Sequence, residues 1–96
     1  MASPTTVLPI EHIVQTPGVC GGKPRIAGRR IKVSEIVLWH RDSGWSAEKI
    51  AEQFDLSLAE VYAALSYYFD HAQDIDRQID EEKAFDEQMR PPEQDA

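Results

Sequence analysis

The chain has 96 residues, of which 42% are hydrophobic and 28% charged, and this balance is typical of one small soluble globular domain. Its uncharged apolar runs, such as residues 36–39, are far shorter than the roughly 20 residues of a transmembrane helix. Residues 1–6 have neither the positive charge nor the apolar run of a signal peptide, and a lone Cys20 fits a reducing compartment. Composition therefore predicts a cytoplasmic protein and excludes collagenous, membrane-spanning and wholly disordered classes.

The net charge of −7 is distributed unevenly along the chain. Residues 70–96 hold ten acids and three bases, which account for the whole net charge, whereas residues 1–69 hold seven of each. Five cations fall between residues 23 and 32 with no acid among them, namely Lys23, Arg25, Arg29, Arg30 and Lys32. We call residues 23–32 the basic segment and residues 73–96 the acidic tail. This asymmetry suggests two contact surfaces, although a solvated face and a solubilising tail would also explain it.

The first third of the chain predicts irregular structure with short strands. Residues 1–9 lack periodicity and are expected to form a disordered arm, and Ile10–Val14 has the length and composition of a strand. A turn follows at residues 16–18, where proline and glycine favour turn geometry. Residues 25–33 carry apolar side chains on both sides of Gly28, which predicts two extended pieces bent into a hairpin-like wing.

The middle of the chain predicts three capped helices. Ser34 is placed to cap the first, with Glu35 in its first turn, and Ser46 to cap the second. Ser57 and Glu60 form a capping box for the third. Because about three residues separate the last two helices, they predict a helix-turn-helix, and the preceding helix completes a three-helix core. The fold class is thus mainly α, with a short N-terminal β element, in a domain of residues 10–72.

The acidic tail is expected to be helical over residues 72–89 when it is docked and frayed when it is free. Residues 90–92 end the helix with two prolines, and the remaining residues are expected to be disordered. Ile75, Ile79 and Phe85 are the apolar side chains of this stretch, so we predict that they anchor a protein partner.

The sequence contains little that indicates catalysis. Residues 18–24 superficially resemble a phosphate loop, but their glycine spacing is one residue short and Pro24 stands where a serine or threonine would hold magnesium. The three histidines and Cys20 show no zinc-ligand spacing. We therefore predict no enzymatic activity, no metal and no cofactor.

The basic segment is the main indication of nucleic-acid binding, because lysine and arginine supply most of the sequence-independent affinity for DNA. The second helix of the predicted helix-turn-helix argues against DNA binding. Its outward positions include no lysine or arginine, and Glu60 would face phosphate. We place DNA contact in the basic segment and the start of that helix, in a homodimer that presents the surface twice. The predicted contact residues are Lys23, Arg25, Arg29, Arg30, Lys32, Ser57 and Tyr62.

Several short runs resemble a known family. These are Gly21-Gly22-Lys23-Pro24, Ile26-Ala27-Gly28, Arg30-Ile31, Val33, Gly44-Trp45-Ser46 and Ala64-Leu65-Ser66-Tyr67-Tyr68. Across about residues 10–80 the chain resembles the prokaryotic domain-of-unknown-function family number 433, small homeodomain-like proteins of which some are regarded as VapB-type antitoxins. Where that family usually has threonine before the arginine at Arg30, this chain has Arg29.

The resemblance implies an antitoxin that represses its own operon by binding operator DNA and inactivates a PIN-like toxin nuclease. The charge map agrees with this, since a basic surface suits DNA and an acidic tail suits the basic RNA-binding groove of a nuclease. The alternative is a small protein-interaction adaptor that never contacts DNA. Neither hypothesis includes a membrane or a small-molecule substrate.

Overall fold

The computed structural model describes residues 4–6 and 11–89, and its elements follow the chain as two strands and four helices. Strands β1 (Ile13–Val14) and β2 (Arg25–Ile26) flank a single 3-10 turn at Cys20–Gly22. The helices are α1 (Val33–Arg41), α2 (Ala47–Phe54), α3 (Leu58–Asp70) and α4 (Ala72–Met89). The predicted class is confirmed: the fold is mainly α, with a short antiparallel strand pair and a helical C-terminal part.

The wing, residues 25–33, is a hairpin as its sequence predicts. The Ile26 amide donates to the Ile31 carbonyl at 2.9 Å, and the Val33 amide donates to the Pro24 carbonyl at 3.0 Å. Gly28 turns the chain at the tip with a φ of +76°, a conformation that favours glycine. On its other edge β2 pairs with β1, so that Ile26 faces Ile13 and its side chain enters the core.

The first strand is shorter than the sequence predicts. The prediction placed it at Ile10–Val14, but only Ile13 and Val14 are extended, and Ile10 lies outside the described residues. His12 has a left-handed φ of +79°, which breaks the extended chain, and its carbonyl accepts a 2.7 Å hydrogen bond from the Ala27 amide of the wing.

The helix-turn-helix forms as predicted, and its caps are the ones the sequence indicates. The Ser46 hydroxyl accepts from the Lys49 amide at the start of α2. At the start of α3, Ser57 and Glu60 exchange hydrogen bonds of 3.0 and 2.8 Å in a capping box. Residues 55–57 join the two helices, with Asp55 in the left-handed conformation that often ends a helix.

The cap predicted for α1 is wrong by two residues. Lys32 is the N-cap, and its amide donates at 3.0 Å to the side chain of Glu35 in the first helical turn. Ser34 is therefore inside the helix, where its fully buried side chain faces α4. Serine is a favoured N-cap residue, but the Ser34 hydroxyl instead contacts Gln78 and Glu82 of α4.

The core is built by all four helices and the wing. Helix α4 contributes Ile75 and Ile79, each only 1% exposed, and packs them chiefly against α1 and α3. Trp39 of α1 stacks on Phe54 of α2 with ring centroids 3.9 Å apart, at the edge of the same cluster. The other fully buried apolar side chains of the described residues are Ile26, Val33, Ile36, Val37, Ile50, Val61 and Ala64.

Helix α4 has two halves with different surroundings. Its first half is held by Ile75, Gln78 and Ile79, all buried. Residues 83–89 are exposed at every position, and we call them the free end of α4. Among residues 4–6 and 11–89, no helix has the length and apolar composition needed to cross a membrane.

Because Ile79 is buried in the core, Ile79→Ala should lower the free energy of unfolding by about 2–4 kcal/mol. The matched change Phe85→Ala, on the exposed end of the same helix, should cost less than about 0.5 kcal/mol. Urea denaturation followed by circular dichroism measures both. Equal, small effects for the two variants would mean that α4 is not packed on the body.

Candidate functional site

The two lysines of the basic segment point at the acidic tail of the same chain. Lys32 Nζ lies 3.1 Å from Glu82 Oε1, and Lys23 Nζ lies 3.6 Å from the same oxygen. The side chains of all three residues are between one fifth and one third exposed. Lys23 and Lys32, both predicted to contact DNA, are therefore engaged inside the molecule.

Two neutral side chains complete the surroundings of Glu82. Gln78 Nε2 donates to Glu82 Oε1 at 3.1 Å and to Ser34 Oγ at 3.1 Å, and the Ser34 hydroxyl lies 3.3–3.4 Å from both carboxylate oxygens. We call Lys23, Lys32, Ser34, Gln78 and Glu82 the Glu82 cluster. It joins α4 to α1, to the end of the wing at Lys32 and to Lys23, which precedes the wing.

Burial by itself would raise the pKa of the Glu82 carboxyl. The hydrogen bonds from Lys32 and Gln78, together with the charges of Lys32 and Lys23, outweigh that effect and hold the pKa below its usual range. Glu82 is thus a carboxylate at neutral pH, and it neutralises one of the two lysine charges beside it.

Two arginines of the wing, Arg25 and Arg29, donate hydrogen bonds mainly to backbone carbonyls. Arg25 donates to the carbonyls of Ile26 and Arg29 and to the Thr16 hydroxyl, at 3.0–3.3 Å. Arg29 donates to the carbonyls of Phe54 and Asp55, at 2.7 and 3.0 Å, where α2 ends. Because helix ends leave carbonyls without partners, Arg29 caps α2 and holds the wing tip against the turn of the helix-turn-helix.

Arg30 differs from its neighbours in the basic segment. Its side chain is exposed at the wing tip. Among the described residues, 4–6 and 11–89, the Arg30 side chain has no hydrogen-bond or ion-pair partner, whereas the other four cations of the basic segment each have at least one. Of the five cations predicted to contact DNA, Arg30 is the one whose charge is directed to solvent without a partner in that part of the chain.

The start of α3 combines an exposed aromatic side chain with negative charge. Tyr62 is 52% exposed, while the Ser57 hydroxyl is used as the cap. Hydrogen bonds from the Ser57 backbone and hydroxyl, and the charges of His12 and Arg29, lower the pKa of Glu60. Ser57 and Tyr62 thus lie beside a carboxylate that is ionised at neutral pH, which disfavours phosphate in their immediate surroundings.

The three predicted partner anchors separate into two groups. Ile75 and Ile79 are buried against the body, so the expectation that they contact a partner needs correction. Periodicity showed that they share an apolar face, and the structure shows that α1 and α3 cover this face. Phe85 remains exposed at 60%, and Met89, one turn further on, is 67% exposed.

A second polar contact holds α4 to α1, and no sequence pattern indicates it. Arg41 Nη1 lies 3.0 Å from Asp76 Oδ1, and the Tyr68 hydroxyl donates to the same oxygen at 2.9 Å. Lys83 Nζ reaches Asp42 at 3.5 Å nearby. The position of Glu82, by contrast, could be predicted from the sequence. It follows Ile75 and Ile79 at helical spacing, which places it on the face that packs on the body.

The described part of the chain contains no group of three or more histidine, cysteine or acidic side chains arranged to hold a metal ion. Its polar clusters are built from complementary charges and from donors to backbone carbonyls, so their chemistry is that of binding and positioning.

Glu82→Gln should destabilise the protein at neutral pH by on the order of 1 kcal/mol. Since the folded pKa of Glu82 is lowered, its stabilisation is complete above the unfolded value of about 4.3 and is lost as the pH falls through the folded value. Urea unfolding of wild type and variant should therefore differ at pH 7, and the difference should shrink as the pH falls below about 4.3. The exposed neighbour Glu81→Gln is the control, with a small effect at both pH values. A wild-type advantage that persists unchanged at acid pH would contradict the assignment.

Comparisons with known proteins agree with this architecture. The family model described as "Protein of unknown function (DUF433)" matches residues 13–68. The crystal structure of a DUF433 member from Anabaena variabilis ATCC 29413 is 36% identical in sequence, with a TM-score of 0.66, and the match covers 71% of this chain and 67% of that one. No curated protein matches the sequence. The chain, with its wing, helix-turn-helix and C-terminal helix, belongs to the DUF433 family.

Proposed function

We propose that this chain is a binding protein of the antitoxin kind, without catalytic activity of its own, that inactivates a protein partner through the free end of α4. The observation that carries the proposal is the exposure of Phe85 and Met89, at 60% and 67%, on the last two turns of α4. Their spacing of four residues puts both side chains on one face. An apolar pair on a projecting helix suits insertion into the groove of another protein.

The charge around this pair indicates the chemistry of the partner. Residues 80–89 hold five acids and one base, and of the acids only Glu82 is paired with the basic segment. A second copy of the same helix would repel it, whereas a groove lined with cations would attract it. The RNA-binding groove of a nuclease has that character, which supports the toxin nuclease implied by the family resemblance.

The helix is already formed in the isolated chain, and this favours binding. The sequence suggested a segment that orders only on its partner, at an entropic cost. In the structure the first half of α4 is fixed by Ile75, Gln78 and Ile79, so the free end continues a formed helix. Less conformational freedom is then lost on association.

The test is co-purification with the product of the gene adjacent to this chain's own gene, which the proposal expects to be a nuclease. Phe85→Ala combined with Met89→Ala should weaken binding about 30-fold or more, because anchor side chains each contribute about 1–2 kcal/mol or more, and should restore the nuclease activity that the wild type suppresses. The control is Phe69→Ala, another exposed aromatic, on α3. Undiminished binding by the double variant would contradict the proposal.

A second candidate function, operator binding by a homodimer, is favoured by the position of the wing tip. Arg29 fixes the tip to the α2–α3 turn, and Arg30 beside it is exposed. The tip and the start of α3, with Ser57 and Tyr62, therefore share one side of the molecule. One exposed arginine per copy is a weak electrostatic contact, which is why we propose two copies acting together.

For this second candidate, Arg30→Ala should weaken binding to the protein's own promoter and lower the slope of log affinity against log salt by about 0.9 per copy. Arg30 is a cleaner choice than Arg29, whose removal would uncap α2. Lys83→Ala, which removes one positive charge from α4, is the control. If the wild type shows no salt-dependent affinity for its promoter, the adaptor that never contacts DNA is the better description.

A further inference from the structure

We propose that Lys23, Lys32, Ser34 and Gln78 form a binding site for a phosphate group, and that the Glu82 carboxylate occupies this site as an internal substitute. Four donor side chains converge on the two oxygens of Glu82, at 3.1–3.6 Å. The inference does not depend on what the free end of α4 binds.

The charge of the cluster is better matched to phosphate than to one carboxylate. Lys23 and Lys32 bring two positive charges, and Glu82 brings one negative charge. Inorganic phosphate or a phosphate monoester carries a charge of about −1.5 to −2 at pH 7 and has three or more acceptor oxygens, enough for both ammonium groups and for the Ser34 hydroxyl. With Glu82 removed, the lysines would be left side by side, and an anion would relieve their repulsion.

Three of the four donors lie in a different part of the chain from the acceptor, whereas Gln78 shares α4 with Glu82. Lys23, Lys32 and Ser34 belong to the N-terminal part and α1, whereas Glu82 lies on α4 beyond its last buried residue, Ile79. Past that residue, the described polar contacts of α4 with the body are the Glu82 cluster and the Lys83–Asp42 pair at 3.5 Å. The end of α4 is thus attached mainly by charge.

Space for a ligand adjoins the cluster. A groove of about 630 Å³ between α1 and α4 is lined by Lys23, Lys32 and Glu82 together with Leu38 and Phe85. It opens the two ammonium groups to solvent on one side. Lys83 and the acids Glu35, Glu81 and Asp86 also line the groove, so repulsion from these carboxylates should favour an anion at the Glu82 cluster over the rest of the groove.

The test uses the full chain carrying Glu82→Ala, which vacates the site, and Glu81→Ala, which makes the same charge change at an exposed neighbour. Thermal unfolding is compared in inorganic phosphate and in chloride of equal ionic strength. Phosphate should raise the Tm of the Glu82 variant by about 3 °C or more and leave wild type and the Glu81 variant unchanged. Adding Lys23→Ala and Lys32→Ala to Glu82→Ala should abolish the shift.

Glu82→Ser provides a second variant, which also vacates the site but keeps a small hydrogen-bonding group on α4, and it is used if the alanine variant does not fold. No phosphate-specific shift in either Glu82 variant, or an equal shift in the Glu81 variant, would overturn the proposal.

A second measurement identifies the source of the phosphate. Binding of an arbitrary DNA duplex to the Glu82 variant should have a salt slope steeper by about 2 than for the Glu81 variant if both lysines contact the nucleic-acid backbone. A phosphate shift with no gain in DNA binding supports the site as well, and assigns it to a free phosphate or a small phosphorylated ligand.

Discussion

The packing of α4 against the body determines what each charged residue of this protein can do. Ile75 and Ile79 lose nearly all contact with water on this packing, and burial of two such side chains is worth several kcal/mol. Once they are in place, Glu82 comes within reach of Lys23 and Lys32, and Asp76 within reach of Arg41. The ion pairs therefore follow from the apolar contact, which brings together opposite charges that are 35 to 59 residues apart in the chain.

This arrangement changes the meaning of the charge map. By sequence the chain is a neutral body with a basic segment and an acidic tail, which suggests one surface for each sign. In the structure the lysines of the basic segment are paired with the tail, and Arg25 and Arg29 are bound to backbone carbonyls. Of the two surfaces that the charge distribution suggests, the described residues leave one exposed arginine at the wing tip and an acidic helical end with two apolar side chains. The acidic helical end thus offers more groups for binding than the wing tip does.

Local features of the fold could be predicted from the sequence, and long-range contacts could not. Capping boxes, the bend at Gly28 and the three-residue turn depend on neighbours in the chain, so Ser57 and Ser46 were assigned correctly. Ser34 was not, because its buried hydroxyl bonds to a helix more than forty residues away. Likewise, the spacing of Ile75 and Ile79 showed an apolar face without showing what covers it. Arginines that bind carbonyls, such as Arg29, leave no trace in composition.

Amide hydrogen exchange of the isolated, full-length chain tests this account most directly. If the first half of α4 belongs to the body, amides of residues 76–82 should be protected nearly as well as those of α1 and α3, because they open only with the core. Amides of residues 85–89 should exchange much faster. Uniformly fast exchange along the whole of α4 would show that the helix is not packed on the body, and would contradict both the core assignment of Ile75 and Ile79 and the pairing of Glu82.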